Sequence, residues 1–356
     1  MKVAFFTPRS IRPLHPRLVS FEHYFKKKGI DVEFINASNY VPNLMSRINW
    51  ICLWLFDLYA IRQCKSRVNE FDIVFINDLK YLPLAKYARS LNKVVLYDTI
   101  DHNVYLRFYQ LERKLKIISV FKPIIISIFK KLERHYAFRY CDDILVNSLS
   151  LQNYFDNKAH VLFYSSPFEK IAEVNSPSKP VALLYLGIFS PEKGAREIID
   201  LQKNLNHPLF LYGDVSEKGL LNEIKGIDQI HHTNKLSVRD LEQALKDLLS
   251  KYYLVGFSLI KPAHYSYEVQ EANKDIDYLA LGIPLIGNYR LPTKEKIEAG
   301  CGLFVDDNQL FEKLADVKTK EALSKACKEY YNQFYASHLF EDKLDKIMNR
   351  YRSGGN

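Results

Sequence analysis

The sequence predicts an α/β protein made of two parallel-sheet domains in tandem. Three observations predict it: apolar runs alternate with helical patterns in the first half, a Pro/Ser-rich stretch interrupts them, and the same alternation then restarts. Continuous apolar strands separated by helices are buried on both faces, as parallel sheets are. At 356 residues the chain is long for one core and comfortable for two.

In order, Val3–Thr7 reads as a strand. The amino-terminal apolar run is broken by Pro8 and Arg9 too soon to serve as a signal peptide. Leu18–Lys28 has helical spacing and closes at Gly29, and Val32–Ile35 is the next strand. Phe71–Ile76 and Val94–Tyr97 are strands separated by the helical Leu82–Leu91, and Ile144–Val146 and Val161–Phe163 follow. The Ile48–Ile61 segment, with Trp50 and Trp54, is too short to cross a hydrocarbon core of about 30 Å. It reads as a buried helix or as a second membrane-contacting face. Ser165-Ser-Pro167 and Asn175-Ser-Pro-Ser-Lys-Pro180 mark the break. Strands resume at Leu183–Leu186, Leu209–Tyr212, Gln229–His231, Leu254–Ser258, Pro284–Ile286 and Gly302–Val305. The expected organisation is a first domain over 1–165, a linker over 166–180 and a second domain over 181–334. A terminal helix, about 335–356, returns to the first domain.

A hydrophobic share of 47% with 26% charged residues excludes wholesale disorder. The five cysteines are odd in number, scattered and without a C-x-x-C pair, which suits a reducing cytosol. The net charge of +9 is concentrated: nine Lys and Arg lie between Arg107 and Arg139, against Glu112 and Glu133, including Lys114, Lys116, Lys130 and Lys131. The middle of that stretch, Ile117–Phe129, is aliphatic. Nucleic-acid binding would interleave aromatic and polar groups there, so an anionic membrane surface is the expected partner and nucleic acid is not.

Two segments carry chemistry. Gly187-Ile-Phe-Ser-Pro-Glu-Lys193-Gly194 and Asn273-Lys274-Asp-Ile-Asp277-Tyr-Leu-Ala-Leu-Gly282-Ile-Pro284 each follow an apolar strand. Each places glycine, lysine and an acid where a helix begins, and helix amino ends attract phosphates. Lys193, with N–H groups around Gly187 and Gly194, is the diphosphate candidate. Asp277 is the ribose candidate, since a carboxylate accepts from both hydroxyls. Asn273 and Lys274 lie one helical turn earlier on the same face and are expected to reach phosphate. Asp275 and Asp277 form a D-x-D, but positions two apart on a helix diverge, so metal chelation is not expected.

The whole chain resembles the GT-B glycosyltransferases, and within them bacterial family-4-like enzymes of surface-polysaccharide synthesis. The resemblance rests on Phe71–Asp78, Leu82-Pro83, Val95–Asp98, Glu133-Arg134 with Cys141–Ser148, Ser165–Pro167, Leu184–Gly187 with Glu192–Gly194, Phe210–Gly213 and Asn273–Pro284. It implies two Rossmann-like domains facing a cleft, the first binding acceptor and the second binding a nucleotide-diphosphate sugar as co-substrate, with no cofactor. The chain departs from the family in lacking paired glycines in its first loop. The second acid of the family's Glu-x7-Glu pair falls on Asp277; the first falls on Val269, with Glu268 adjacent.

In this architecture Asp98 and Asp101, at the end of the Val94–Tyr97 strand, are the candidate bases if the reaction inverts the anomeric centre. Arg9, Arg12, His15 and Arg17, in the loop after the first strand, are expected to line the acceptor side. Together these features point to a metal-independent, hexosyltransferase-like enzyme that is cytoplasmic and peripheral to the membrane, extending a polysaccharide or lipid-linked oligosaccharide. The rival readings are a sugar-nucleotide epimerase or hydrolase on the same fold, or a non-catalytic polyanion-binding module. An oxidoreductase is disfavoured, because no G-x-G-x-x-G follows the first strand.

Overall fold

The computed structural model describes residues 1–7, 15–36, 58–112, 116–261 and 265–352. The chain forms two compact units, Met1–Tyr164 with Phe340–Asn356, and Ser165–Leu339. Most of the Ile48–Ile61 segment lies outside the described residues; a helix is described from Leu58 to Val68.

The first unit holds β1 (Lys2–Thr7), β2 (Asp31–Asn36), β3 (Ile73–Ile76), β4 (Val94–Thr99), β5 (Asp143–Val146) and β6 (His160–Val161). They form one sheet in the order β2-β1-β3-β4-β5-β6, with every pairing parallel. Alternation along the strands builds two cores, because successive side chains point to opposite faces. On one face Phe5 stacks between its register partners Phe34 and Phe75, with ring centroids 5.1 and 4.2 Å away. Phe21 and Phe25 of the Pro16–Lys27 helix close over this ladder. On the other face Ala4, Phe6, Val74, Ile76, Val95 and Tyr97 are buried. The carboxy-terminal helix, Ser337–Arg352, reaches this unit through Phe340 against Phe21 at 5.2 Å. Ion pairs from Lys27 to Glu341 and from Lys28 to Asp345 hold it at the rim.

The second unit holds β7 (Val181–Leu186), β8 (Leu209–Tyr212), β9 (Ile230–Thr233), β10 (Tyr253–Ser258), β11 (Leu285–Gly287) and β12 (Gly302–Phe304). Their order is β12-β11-β10-β7-β8-β9, again all parallel. Every residue of β7 and β10 is buried. The stretch expected as a linker belongs to this unit instead. Phe168 and Ile171 enter its core, and Asn175 Nδ2 donates to the carbonyls of Leu254 and Gly282 at 2.9 and 3.0 Å. Proline and serine mark a break in secondary structure, but the apolar residues between them still find a core.

Candidate functional site

In the second sheet the chain runs outward from β7 through β8 to β9, then returns to β10 on the other side of β7. Loops leaving β7 and β10 at their carboxyl ends therefore part in opposite directions. In open parallel sheets ligands bind at such a switch point.

The two loops are tied together there. Gly194, in the turn after β7, has φ +78°, and a Cβ on it would lie 2.4 Å from the Leu259 carbonyl oxygen just after β10. Only glycine permits that approach. The Lys261 N–H donates to the Glu192 carbonyl at 2.9 Å across the same seam. Gly187 stands at the exit of β7 with φ +106°. Lys193 ends the short turn Pro191–Lys193 and is partly buried.

The Asn273–Leu281 helix is seated against the same strands. Tyr278 donates through its hydroxyl to the Leu184 carbonyl at 3.2 Å and accepts from the Leu186 N–H at 2.9 Å. Its ring lies over Gly256 in the middle of β10, where a Cβ would come within 2.6 Å of it. One turn earlier on this sheet-facing side, Lys274 is only 8% exposed. Its ammonium sits 4.0 Å from the centre of the Tyr185 ring and has no hydrogen-bond partner among the described residues. Burial pushes Lys274 down to about 7; neighbouring Lys193 and Arg290 add to the shift and Asp275 opposes it.

Arg290, at the exit of β11, is fully buried. Its Nη2 donates to Thr293 Oγ1 at 2.8 Å and faces Asp275 Oδ2 at 3.3 Å, and Nη1 donates to the Gln270 carbonyl. Its Nε has no partner among the described residues. Buried lysine and arginine groups left with unpaired donors are costly in a fold that has no use for them. Lys193 and Arg290 both act on Lys274, so three cations share one neighbourhood near the switch point.

The polar positions of the helix diverge. Asp275 faces inward to Arg290, while Asp277 is half-buried and its Oδ1 accepts from Ser166 Oγ at 2.6 Å. Burial pushes the Asp277 carboxyl up to about 7, against the opposing Ser166 bond, with Asp275 adding to the rise. Asn273 opens the helix and is partly exposed. Glu268 is exposed on the short helix Tyr265–Val269; no hydrogen bond or ion pair joins it to this cluster among the described residues. The acid nearest in sequence that is engaged is Glu271, paired with Lys296 at 2.8 Å.

The first unit treats its candidates differently. Asp98 is completely buried. Arg17 Nε and Nη2 donate to its Oδ1 at 2.8 and 2.5 Å, and Asn77 Nδ2 donates to Oδ2 at 2.6 Å. Arg17 is itself buried and bonds the Leu162 carbonyl. A carboxylate so enclosed ties β4 to the first helix and to Asn77 beyond β3, and both of its oxygens are already engaged. Asp101 is partly exposed just beyond β4, and its carbonyl accepts from Thr99 Oγ1 at 3.1 Å. His15 caps the Pro16–Lys27 helix, its Nδ1 accepting from the Arg17 N–H at 3.3 Å. Arg9, Arg12 and Lys114 lie outside the described residues, as does the side chain of Lys116. Lys131 is exposed, whereas Lys130 is drawn in against Tyr105 and Tyr154, 5.6 and 5.3 Å from their ring centres.

Sequence reasoning missed Arg290, Tyr185 and Ser166 as members of these contacts. For Arg290 a signal existed: a lone basic residue three positions past an apolar strand, at the edge where ligands bind.

No family model matches the chain, and no curated protein matches it. Solved structures do, at low identity and over nearly the whole length. HepE from Anabaena, solved in complex with UDP and glucose, is 14% identical with a TM-score of 0.64, covering 98% of this chain and 99% of its own. A UDP-forming α,α-trehalose-phosphate synthase from Burkholderia xenovorans, in complex with glucose-6-phosphate, is 9% identical at 0.65, covering 99% and 100%. A candidate UDP-N-acetylglucosamine 2-epimerase from Listeria monocytogenes is 10% identical at 0.57, covering 100% and 97%. The chain has the α/β GT-B fold of such glycosyltransferases.

Proposed function

We propose that this chain is a glycosyltransferase whose second unit binds a nucleotide-diphosphate sugar. One observation carries the reading: the buried Lys274 ammonium, without a hydrogen-bond partner among the described residues and beside Arg290 and Lys193, at the switch point between β7 and β10. A diphosphate would supply the missing acceptors for Lys274 and Arg290 Nε, and these cations would steady the negative charge of the departing nucleotide. They supply that charge from the protein itself, so transfer needs neither a metal ion nor a cofactor. Asp277, with Asn273, lies on the more exposed side of the same helix and takes the ribose. Asp101 remains the candidate base for an inverting reaction. We assign the acceptor as a polysaccharide or lipid-linked oligosaccharide at the cytoplasmic face of a membrane, on the strength of the basic stretch between Arg107 and Arg139.

The test is a thermal-shift titration with UDP, GDP and ADP. One of them is expected to raise Tm at micromolar concentration as RT ln(1 + [L]/Kd) requires, and its base names the donor class. No shift with any of the three, at millimolar concentration, rejects the donor site. Resistance of turnover to EDTA tests metal independence. An epimerase stays in view because one structural neighbour carries that description. Incubation with UDP-sugars and no acceptor separates the two: an epimerase interconverts sugars, whereas a transferase only hydrolyses slowly.

A further inference from the structure

The Lys122–Tyr140 helix of the first unit breaks the pattern of an ordinary surface helix. Ile126, Glu133 and Ala137 form its buried face. At about 3.6 residues per turn, the side farthest from that face carries Ile124, Ile128, Lys131 and His135. Charge belongs there throughout, yet Ile124 is 62% and Ile128 50% exposed. Val120 at 74% and Phe121 at 54%, in the preceding 3-10 turn, extend the apolar stripe.

A cavity of about 710 Å³ opens along the adjoining stripe. Lys130, Lys131, Arg134 and Lys158 line it, against the single carboxylate Asp156, which Arg134 already engages. Phe138 is covered by two of these cations, with Lys158 at 5.1 Å and Arg134 at 5.6 Å from its ring centre. An apolar stripe alone would suit a protein partner. Joined to a cavity rich in cations and poor in acids, it fits a surface that is apolar within and anionic at its boundary.

We propose that this face docks on an anionic bilayer, with Val120, Phe121, Ile124 and Ile128 entering the acyl boundary and a lipid headgroup phosphate seated in the cavity. The inference rests on the membrane-face part of the function proposed above, and it is independent of the donor chemistry.

Flotation with vesicles of phosphatidylcholine, alone or with phosphatidylglycerol, tests it. The wild-type protein should float only with the anionic vesicles and be released at high salt. Ile124→Glu with Ile128→Glu should lower partitioning at least roughly tenfold, since each isoleucine loses its apolar burial. Lys131→Glu with Lys158→Glu should lower it by roughly 25-fold or more, at about fivefold per cation lost. Both variants should keep the wild-type thermal shift with a nucleoside diphosphate, which shows that they fold and that the donor site is untouched. Absence of flotation, or flotation unchanged in either variant, overturns the proposal while leaving the donor reading intact. Release of the protein from vesicles by millimolar inorganic phosphate also overturns it, because the cavity would then be a site for free phosphate.

Discussion

The carboxyl edges of the two sheets hold similar charged groups and use them in opposite ways. In the first unit, Asp98 is met by Arg17 and Asn77, and Thr7 Oγ1 donates to Asn77 Oδ1 at 3.2 Å, so the network is closed on itself. In the second, Lys274 and Arg290 are buried together with donors left over, and Asp275 Oδ1 is likewise without a partner among the described residues. Buried charge is tolerated when paired, and the first edge obeys this as scaffold does. The second edge departs from it, and the diphosphate proposed above would complete the pairing.

The largest effect that tests this contrast is at Asp98. Asp98→Ala should strip Arg17 of its counter-ion and cost about 3–5 kcal/mol in a denaturant melt. A stable, well-folded variant that loses only turnover would return Asp98 to catalysis. Next comes Gly256→Ala, whose Cβ would lie 2.6 Å from the Tyr278 ring. It should cost about 1–3 kcal/mol and weaken nucleoside diphosphate binding, because the helix that carries Lys274 must shift.

Lys274→Met should behave in the reverse sense to Asp98→Ala. Removing an unpaired buried ammonium leaves apo stability unchanged or raised, while nucleoside diphosphate affinity falls roughly 10- to 100-fold by calorimetry. The pH behaviour follows from the same group. The fold lowers Lys274 from 10.5 to about 7. Between those values the unfolded chain holds the proton and the folded chain does not, so apo stability rises with pH across that window. A diphosphate favours the charged form, so binding at pH 8 should take up a proton, seen as a dependence of the calorimetric heat on buffer ionisation enthalpy. The Lys274→Met variant should lose that uptake; uptake that persists would move the anion elsewhere.

The smallest effect is at Asp277. Its folded value near 7 lies above the ordinary 3.8, so its contribution to stability is present at low pH and is lost as pH rises through 7. Asp277→Asn should flatten the pH dependence of Tm between about 4 and 7. An unaltered profile would remove the buried-acid description of this residue.

The sequence announced the twelve strands: central ones such as β7 and β10 are buried along their whole length and so largely apolar, while β2 and β9 are only partly buried and show as shorter apolar runs. The sequence also drew attention to Lys193, Lys274 and the Gly194 turn, since glycine and lysine after an apolar strand are local signals. The role of Asp98 was not legible. Its partner Arg17 lies eighty-one residues away, and only the folded chain brings the two together. Nor was Ser166, one hundred and eleven residues from Asp277. Spacing along the chain likewise grouped Asn273, Lys274 and Asp277 on one face, whereas the docking of Tyr278 on Gly256 turns Lys274 inward.

Fold class, strand content and the basic stretch between Arg107 and Arg139 were thus set by local pattern, since hydrophobic periodicity and turn chemistry act between near neighbours. Which charges are neutralised and which stay unpaired was decided by tertiary structure alone. Burial removes the solvent that would otherwise satisfy every one of them, and a side chain's new partners come from whichever strands the topology sets beside it.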